Sequence, residues 1–517
     1  MRGVNRESKQ EAYDVAVIGA GIGGLSAAAL LAKAGQSVLL VERHDRPGGY
    51  AHGFSRRHYR FDSGVHLISG CGQQGYRNGS VVYKLGQALG ISPESLFLPV
   101  AAYARARYPG FDAHLQAGED GFVSALAGHF PAEQGPLLAL IRLCRGVAEE
   151  AMLADEAVDL GKTRRVSPAS TLANLFRYRR ATVAEVLDEF IGDRHLQSAC
   201  ASLWPYLGLP PSKLSFLYWA SMMAGYTYEG GYYCKGSFQA YADALAKGLR
   251  AHGGELLLNA SVRRICVEQG KVSGIMLENG QMIRAGTVVS NADALQTADL
   301  LVGRHHLPEG YWENLTRLSP SLSLFVVYLA TDLDIPAQPH AHESFFFEET
   351  DHELNYALTR EGRFNWFSAT LPTFADASLA PPGQHIMLLT TVCPYAVGES
   401  WRQAKPRFQQ RLLEKAERHF PGLNRHLLLV EAGSPRTLER YTRNHQGAAY
   451  GWAPTPGQIG PNRPGVRGPL PGLFQVGHWA RPGGGVAGVS VSAVLAAQAV
   501  LGIPRQEDFW RALGVGA

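Results

Sequence analysis

The chain has 517 residues, of which 46% are hydrophobic and 18% charged, and its formal net charge is +4. That length supports two intertwined domains, the composition excludes a disordered chain, and the charge is too mild for a nucleic-acid binder. The six cysteines form no CxxC pair, which excludes a dithiol relay or zinc knuckle and suits reduced thiols in the cytoplasm. No apolar run reaches the ~18–20 residues of a spanning helix. The stretch from Met1 to Glu11 is polar and reads as no secretory leader.

The apolar run Tyr13 to Ile18 predicts a buried parallel strand, followed by Gly19-Ala20-Gly21-Ile22-Gly23-Gly24 and an alanine- and leucine-rich helix, Leu25 to Ala34, stopped at Gly35. A second strand, Ser37 to Val41, ends on Glu42. This is a strand–GxGxxG–helix–strand–acid unit. Gly19 permits the turn, Gly21 admits a pyrophosphate, Gly24 lets helix and strand pack closely, and Glu42 sits where a carboxylate takes ribose hydroxyls. An acid there disfavours a 2′-phosphate, hence NADP. The second glycine turn, Arg46-Pro47-Gly48-Gly49, suits the longer FAD better than NAD.

The run from Val17 to Gly49 resembles the FAD-binding start of the amine oxidase and phytoene desaturase superfamily. Gly53-Phe54 and Tyr59-Arg60-Phe61-Asp62-Ser63-Gly64-Val65-His66 are similar to its desaturase branch, which includes carotenoid cis–trans isomerases and retinol saturases. Gly472 to Trp479 and Arg481 to Val489 resemble that branch's closing flavin box. The resemblance implies an α/β fold in which a Rossmann-type FAD-binding domain, with a small antiparallel sheet, is intertwined with an α+β substrate domain. It implies FAD held non-covalently by Gly19, Ala20, Gly21, Gly23, Gly24, Glu42, Arg43, Gly49, Tyr50, Val65, Gly477, Gly488 and Val489, with the backbone of Val262 against the adenine.

Residues 1–100, 234–300 and 440–517 are assigned to the FAD domain, and 101–233 and 301–439 to the substrate domain with its mainly helical lid. In the first half of the substrate domain, helices are predicted over Leu137 to Ala154 and Thr182 to Phe190, among the arginines Arg142, Arg145, Arg164, Arg165, Arg177, Arg179 and Arg180. The stretch Leu172 to Arg180 mixes apolar and basic residues, as a membrane-surface helix or an ordinary solvated helix end would. At Gly230 to Ser237 the branch's usual Tyr-Pro-x-Gly-Gly turn is altered by Cys234 and Ser237. A helix follows over Phe238 to Ala251, then strands over Glu255 to Asn259, Val262 to Val267, Val272 to Leu277, Met282 to Ile283 and from Val288. Leu322 to Ala330 and Ile386 to Val392 read as buried strands backing a substrate pocket, and Arg407 to Phe420 as an amphipathic helix.

A flavin performs the chemistry and the protein positions it. The helix beginning near Val489 would aim its N-terminus at the flavin N1–C2=O edge, where backbone N–H groups stabilise negative charge. The resemblance lays the turn before His66 beside the flavin ring, so His66 is a candidate acid–base or a structural histidine. His478 and Arg481 are the other catalytic candidates, with a structural role as the alternative for each. His340, His342 and His352 form no compact ligand set, so no metal is expected.

The expected function is oxidation, reduction or isomerisation of a carbon–carbon double bond in a long apolar substrate, a carotenoid or other isoprenoid first and an unsaturated fatty acyl chain next. An amine oxidase is the alternative, against which the Pro482-Gly483-Gly484-Gly485 pattern stands, and a prenyl-protein escort is the non-enzyme alternative. No second GxGxxG follows, so a quinone, oxygen or a diffusing nicotinamide is the expected electron partner. The expected location is the cytoplasm, with peripheral contact to the inner membrane surface.

Overall fold

The computed structural model describes residues 7–72, 80–159, 172–336 and 341–516. Arg164, Arg165 and His340 lie outside the described residues.

A seven-stranded sheet organises the first part. In spatial order it runs Val262–Glu268, Lys271–Leu277, Met282–Ser290, Ala12–Ile18, Val38–Val41 and Glu255–Leu257, with Leu473–Gln475 also paired to Met282–Ser290. Val15 and Val17 enter the core shared with the helices Ile22–Lys33 and Val486–Leu501, while Ala16 and Ile18 enter the core on the opposite face. Burial on both sides explains why this strand is apolar throughout. Ala12–Ile18 pairs parallel to Val38–Val41 on one side and Met282–Ser290 on the other, and chain order reverses between them. Such a switch point opens a crevice at the carboxyl ends of the two strands, where Gly19 and Asn291 follow.

The predicted strands at Met282 and Val288 are one strand. Residues 282–284 pair antiparallel with Lys271–Leu277, and 284–290 continue parallel to Ala12–Ile18. Arg284 and Gly286 look like a break in sequence, but the strand passes from a solvated hairpin into the buried sheet, so its polar and apolar residues sort by depth. The helix after the glycine turn begins at Ile22 with Gly21 as N-cap, earlier than expected from the alanine run.

The second sheet also has seven strands, in the order Leu427–Gly433, Ser323–Thr331, His385–Cys393, Trp366–Thr370, Glu343–Phe347, Ala102–Tyr108 and Phe111–Gln116. Its register puts Leu324, Val392, Val326, Thr390, Ser368 and Phe345 on one face. The alternate residues Phe325, Val327, Phe346, Phe367, Met387 and Leu389 pack on the opposite face against the helix Trp401–His419, through Phe408, Leu412 and Ala416. That helix starts before the predicted Arg407 and accommodates Pro406.

Helices roof the first face. Gln134–Asp159 is longer than the predicted Leu137–Ala154 and packs on Phe216–Glu229. Val183–Phe190 opens with a capping box in which Glu185 N–H donates to Thr182 Oγ1 (3.3 Å) and Thr182 N–H to Glu185 Oε2 (2.7 Å). Within Leu172 to Arg180 only Ala173–Tyr178 is helical. Among the described residues no single helix is long and apolar enough to cross a membrane. All six cysteines are free, five of them buried.

Leu412, with no exposed surface, joins the helix Trp401–His419 to the sheet face turned away from the crevice. Leu412→Ala should therefore cost about 2–5 kcal/mol of stability while leaving flavin absorbance per folded molecule unchanged, as read by denaturant titration and visible spectra.

Candidate active site

The crevice is built by backbone that approaches backbone. A Cβ at Gly24 would sit 2.0 Å from the Gly19 carbonyl oxygen, one at Gly21 2.8 Å from Asn291 Nδ2, and one at Gly477 2.4 Å from Asn291 Oδ1. Gly19 itself takes φ +92°, a conformation that disfavours any side chain. The Asn291 carboxamide thus fills the space between the first glycine loop and the closing box, and its Nδ2 donates to Gly19 O (3.3 Å). Asn291 reads in sequence as a turn residue. Its position at the end of the strand neighbouring Ala12–Ile18 is what marks it, and that requires the topology.

Glu42 is fixed by two main-chain donors, Ala20 N–H to Oε2 (2.7 Å) and His44 N–H to Oε1 (2.8 Å). Its remaining lone pairs are available to ribose hydroxyls. Gly48 N–H donates to Ala20 O (2.7 Å), tying the second glycine turn to the first. The next turn is tied in the same way: Val65 N–H and Ser63 Oγ–H both donate to Tyr50 O (3.2 and 3.1 Å). Tyr50 Oη–H donates to Ala448 O (2.9 Å), and burial pushes its hydroxyl up to about 12. The Arg43 guanidinium is engaged by the carbonyls of Arg440 and Tyr441, so any part it plays toward a cofactor falls to its backbone and stem.

From this cleft a cavity of about 1980 Å³ extends to the face of the second sheet, where Leu324, Val326, Phe345, Trp366 and Val392 line it. Of the residues assigned to cofactor binding, all line this cavity except Ala20, which seats Glu42, and Gly24, which packs the helix on the strand. Val262 lines it beside Ala260 and Ser261. The helix Val486–Leu501 begins at the cavity, with Val486 to Val489 in its wall and Gly477 N–H held by Ser492 Oγ (2.9 Å). Its first N–H groups have no intrahelical acceptor. Two glycine cradles, two helix N-termini and a positioned carboxylate along one elongated cavity fit an FAD molecule.

His66 lies in the cavity wall with its ring nitrogens engaged. Nδ1–H donates to Gly64 O (3.0 Å), and Nε2 is 3.2 Å from Glu343 Oε2. Glu343 has no exposed surface and accepts a second bond from Thr370 Oγ1 (2.6 Å). Burial pulls the imidazolium down, but the charge and hydrogen bond of Glu343, with Gly64 O and Asp62, outweigh it and hold His66 above its ordinary value. Burial pushes the Glu343 carboxyl up, and His66 and Thr370 outweigh that in turn, holding it below the usual carboxylate range. These shifts agree on an ion pair. Asp62, pushed up to about 6 by burial despite bonds from Tyr233 Oη (2.6 Å) and Phe238 N (2.7 Å), stands behind the same turn.

His478 is also in the wall, but burial and then the Arg463 charge pull it down to about 3, so at neutral pH it is an uncharged ring packed 5.8 Å from Tyr50. Arg481 lines the cavity at 4% exposure, its N–H bonded to Pro464 O (2.8 Å). Arg463, from a glycine- and proline-rich loop that carries no signal in sequence, is buried and joins Tyr450, Trp452 and His478 through their carbonyls, the last at 2.6 Å. His342 and His352 belong to separate networks: His342 Nε2–H donates to His66 O (2.9 Å), whereas His352 Nδ1 accepts from Trp204 Nε1–H (3.0 Å).

A strand–glycine–helix cradle joined to a roofed sheet defines an FAD-dependent oxidoreductase of the amine oxidase fold. The chain belongs to the family described as flavin containing amine oxidoreductase, whose model matches residues 22–501. It is 27% identical to prolycopene isomerase of Arabidopsis thaliana, over 100% of this chain and 87% of that protein. It is 28% identical to the lycopene-forming phytoene desaturase of Pseudescherichia vulneris (92% and 96%) and 27% identical to human all-trans-retinol 13,14-reductase (90% and 82%). Among solved structures, an oxidoreductase from Methanosarcina mazei aligns with a TM-score of 0.60 at 20% identity (93% and 98%), and putrescine oxidase bound to putrescine with 0.62 at 15% (95% and 98%).

Gly21→Val would push its side chain into Asn291 and across the pyrophosphate path. The variant should purify folded by circular dichroism yet colourless. Denaturing the yellow wild type should release free FAD, and flavin retained on the precipitate would show a covalent link.

Proposed function

We propose that this enzyme oxidises, reduces or isomerises a carbon–carbon double bond in a long apolar polyene, a carotenoid or other isoprenoid, with an unsaturated fatty acyl chain as the alternative substrate. One observation carries the reading: the part of the cavity beyond the cofactor cleft is walled by Leu324, Val326, Phe345, Trp366 and Val392, with the uncharged Ser368 and Thr390 as the polar residues of the same sheet face. Among the described residues lining the cavity, the carboxylates are Glu42, Asp293 and Glu507, none from that sheet. Glu42 stands at the ribose end of the cofactor cleft, Asp293 accepts from the backbone N–H groups of Gln296 and His445, and Glu507 is paired with Arg505. A cationic amine would find apolar wall where it needs a counter-charge, and a polyene would find the contact it needs. The volume, about 1980 Å³, exceeds the ~300–1,000 Å³ of an ordinary ligand pocket, as a site holding FAD and a long substrate together requires.

FAD supplies the hydride acceptor or donor. The chain's own residues exclude water, lay the double bond against the cofactor and hold charge at its edge, where the N-terminus of Val486–Leu501 favours negative charge. For a net oxidation or reduction, a diffusing quinone, oxygen or nicotinamide would take up or supply the electrons; an isomerisation would need none in net. Mixed anaerobically with polyenes, once with its flavin oxidised and once with it reduced beforehand, the enzyme should in one of the two states change either its flavin absorbance or the isomer composition of the polyene. Bleaching by amines with no response to any polyene would replace this reading with amine oxidation.

The same cavity reaches Leu172, Leu175, Phe176, Arg179 and Leu153, of which Phe176 is 46% and Leu153 42% exposed. An apolar rim with arginines suits docking to an anionic bilayer on its cytoplasmic side, from which the substrate would enter. Of the three arginines expected there, Arg177 is paired with Glu189, which leaves Arg179 and Arg180 as the stronger attractants. At about 1 kcal/mol each, their joint change to Gln should weaken co-sedimentation with anionic liposomes about 25-fold at low salt and less at high salt. Equal binding by variant and wild type would remove this rim from the account.

A further inference from the structure

His66 is a poor fit to a shuttling acid–base in this arrangement, because its ring nitrogens are bonded within the protein: Nδ1–H to Gly64 O at 3.0 Å and Nε2 to Glu343 at 3.2 Å. Ordering and charge are what the arrangement provides. The imidazole is at the cavity surface, with 12% of its side chain exposed, and the carboxylate lies behind it with none. An ion pair so oriented is a dipole with its positive end toward the cavity. Thr370 Oγ1–H holds Glu343 Oε2 from the neighbouring strand, fixing which oxygen faces His66.

Two further atoms complete the cluster. Glu343 Oε1 and Tyr206 Oη are both buried and, among the described residues, make no hydrogen bond of full geometry, although the Tyr206 hydroxyl is within hydrogen-bonding reach of the Glu343 carboxylate. The Tyr206 hydroxyl, driven up by burial and then by the Glu343 charge, lies beside that carboxylate, and its ring lines the cavity 6.0 Å from the His66 ring. An unbonded donor beside an unbonded acceptor needs only a small shift to close, and such a buried pair is costly to leave open.

We propose that Glu343 is a positioning residue that keeps a proton on His66 Nε2, so that His66 serves as a fixed cation in the cavity wall, with Tyr206 as the donor available to the second carboxylate oxygen. The inference deepens the double-bond redox reading and rests on it for its purpose: a fixed positive end favours negative charge arriving at the cofactor's edge as a hydride is taken up. No bond is made or broken by His66 or Glu343, and the proton stays where it is.

The groups around His66 are few. Glu343 and His342 face it from one strand end, Thr370 stands behind Glu343, Asp62 ends the strand Tyr59–Asp62, and Tyr206 approaches from the turn Trp204–Tyr206. His342 is held down to about 4 by burial and so is neutral near pH 7, which leaves Glu343 and Asp62 as the anions. Glu343 is the one bonded to the ring.

The test is a histidine-selective NMR titration of the FAD-loaded enzyme, with His66 assigned by its loss in His66→Gln. In wild type the ring should titrate above 6.5; in Glu343→Gln, where burial acts without its counter-charge, below it. Glu343→Asp should restore part of the wild-type value, and the flavin midpoint potential should fall in Glu343→Gln and recover in Glu343→Asp. A wild-type ring that titrates below 6.5, or one whose titration is the same in Glu343→Gln, overturns the proposal. Should Glu343→Gln fail to fold, the wild-type titration and Glu343→Asp decide, since a shorter side chain that holds the carboxylate farther from the ring should lower the His66 titration without removing the charge. An enzyme inert to every polyene would sink the substrate reading while leaving the titration to judge Glu343.

Discussion

The structure depends on one close approach. At the switch point of the first sheet, Gly24 lies so near the Gly19 carbonyl that a single added carbon would overlap it, and Asn291 fills the gap to Gly21 and Gly477. This contact fixes where the helix Ile22–Lys33 starts and brings the strand end at Glu42 within reach of Ala20 N–H. It also sets the closing box, separated by more than four hundred residues in sequence, against the opening one. The cofactor cleft is what these backbones enclose when they pack this tightly against one another. Hydrophobic burial could hold the same sheet in many registers; the glycine contacts select one.

Much of this was legible in the sequence because its signals are local. Gly19 to Glu42 carries strand, turn, helix and acid in one stretch, and the closing box is equally compact. In sequence the strand Met282–Ser290 reads as two, since Arg284 and Gly286 report the change from solvated hairpin to buried sheet rather than a chain break. Glu343 escaped altogether. In Glu343-Ser344-Phe345-Phe346-Phe347 a lone acid at the start of an apolar run looks like a solvated strand end. Only the pairing of Glu343 with Thr370, and the arrival of His66 from a turn far away in sequence, make it a buried partner. Asn291 and Arg463 escaped for the same reason: each acts on carbonyls or glycines that no spacing rule connects to it.

The second sheet shows a related limit. Its strands are buried on both faces, so residues 323–331 and 385–393 are almost uninterruptedly apolar and alternation is hidden. Register alone separates Leu324 and Val326, which line the cavity, from Phe325 and Val327, which hold the helix Trp401–His419. One sheet thereby does two jobs with alternate residues. The face that builds stability can be varied in size against the helix, and the face that lines the cavity can be varied in shape, with little exchange between them.

That apolar face also decides what an ion pair beside it is worth. Charges taken from water lose several kcal/mol of solvation each, and a buried pair regains this only with good geometry and further hydrogen bonds. His66 and Glu343 have part of that compensation in Gly64 O and Thr370 Oγ1, yet Glu343 Oε1 has no hydrogen bond of full geometry. An apolar pair of the same size would pack the site at no such cost, so stability does not account for the pair. An apolar wall, however, keeps water away, and charge is screened weakly where water is excluded. The apolar wall therefore amplifies the few charges beside it, and it makes the orientation of one dipole matter more than its energy.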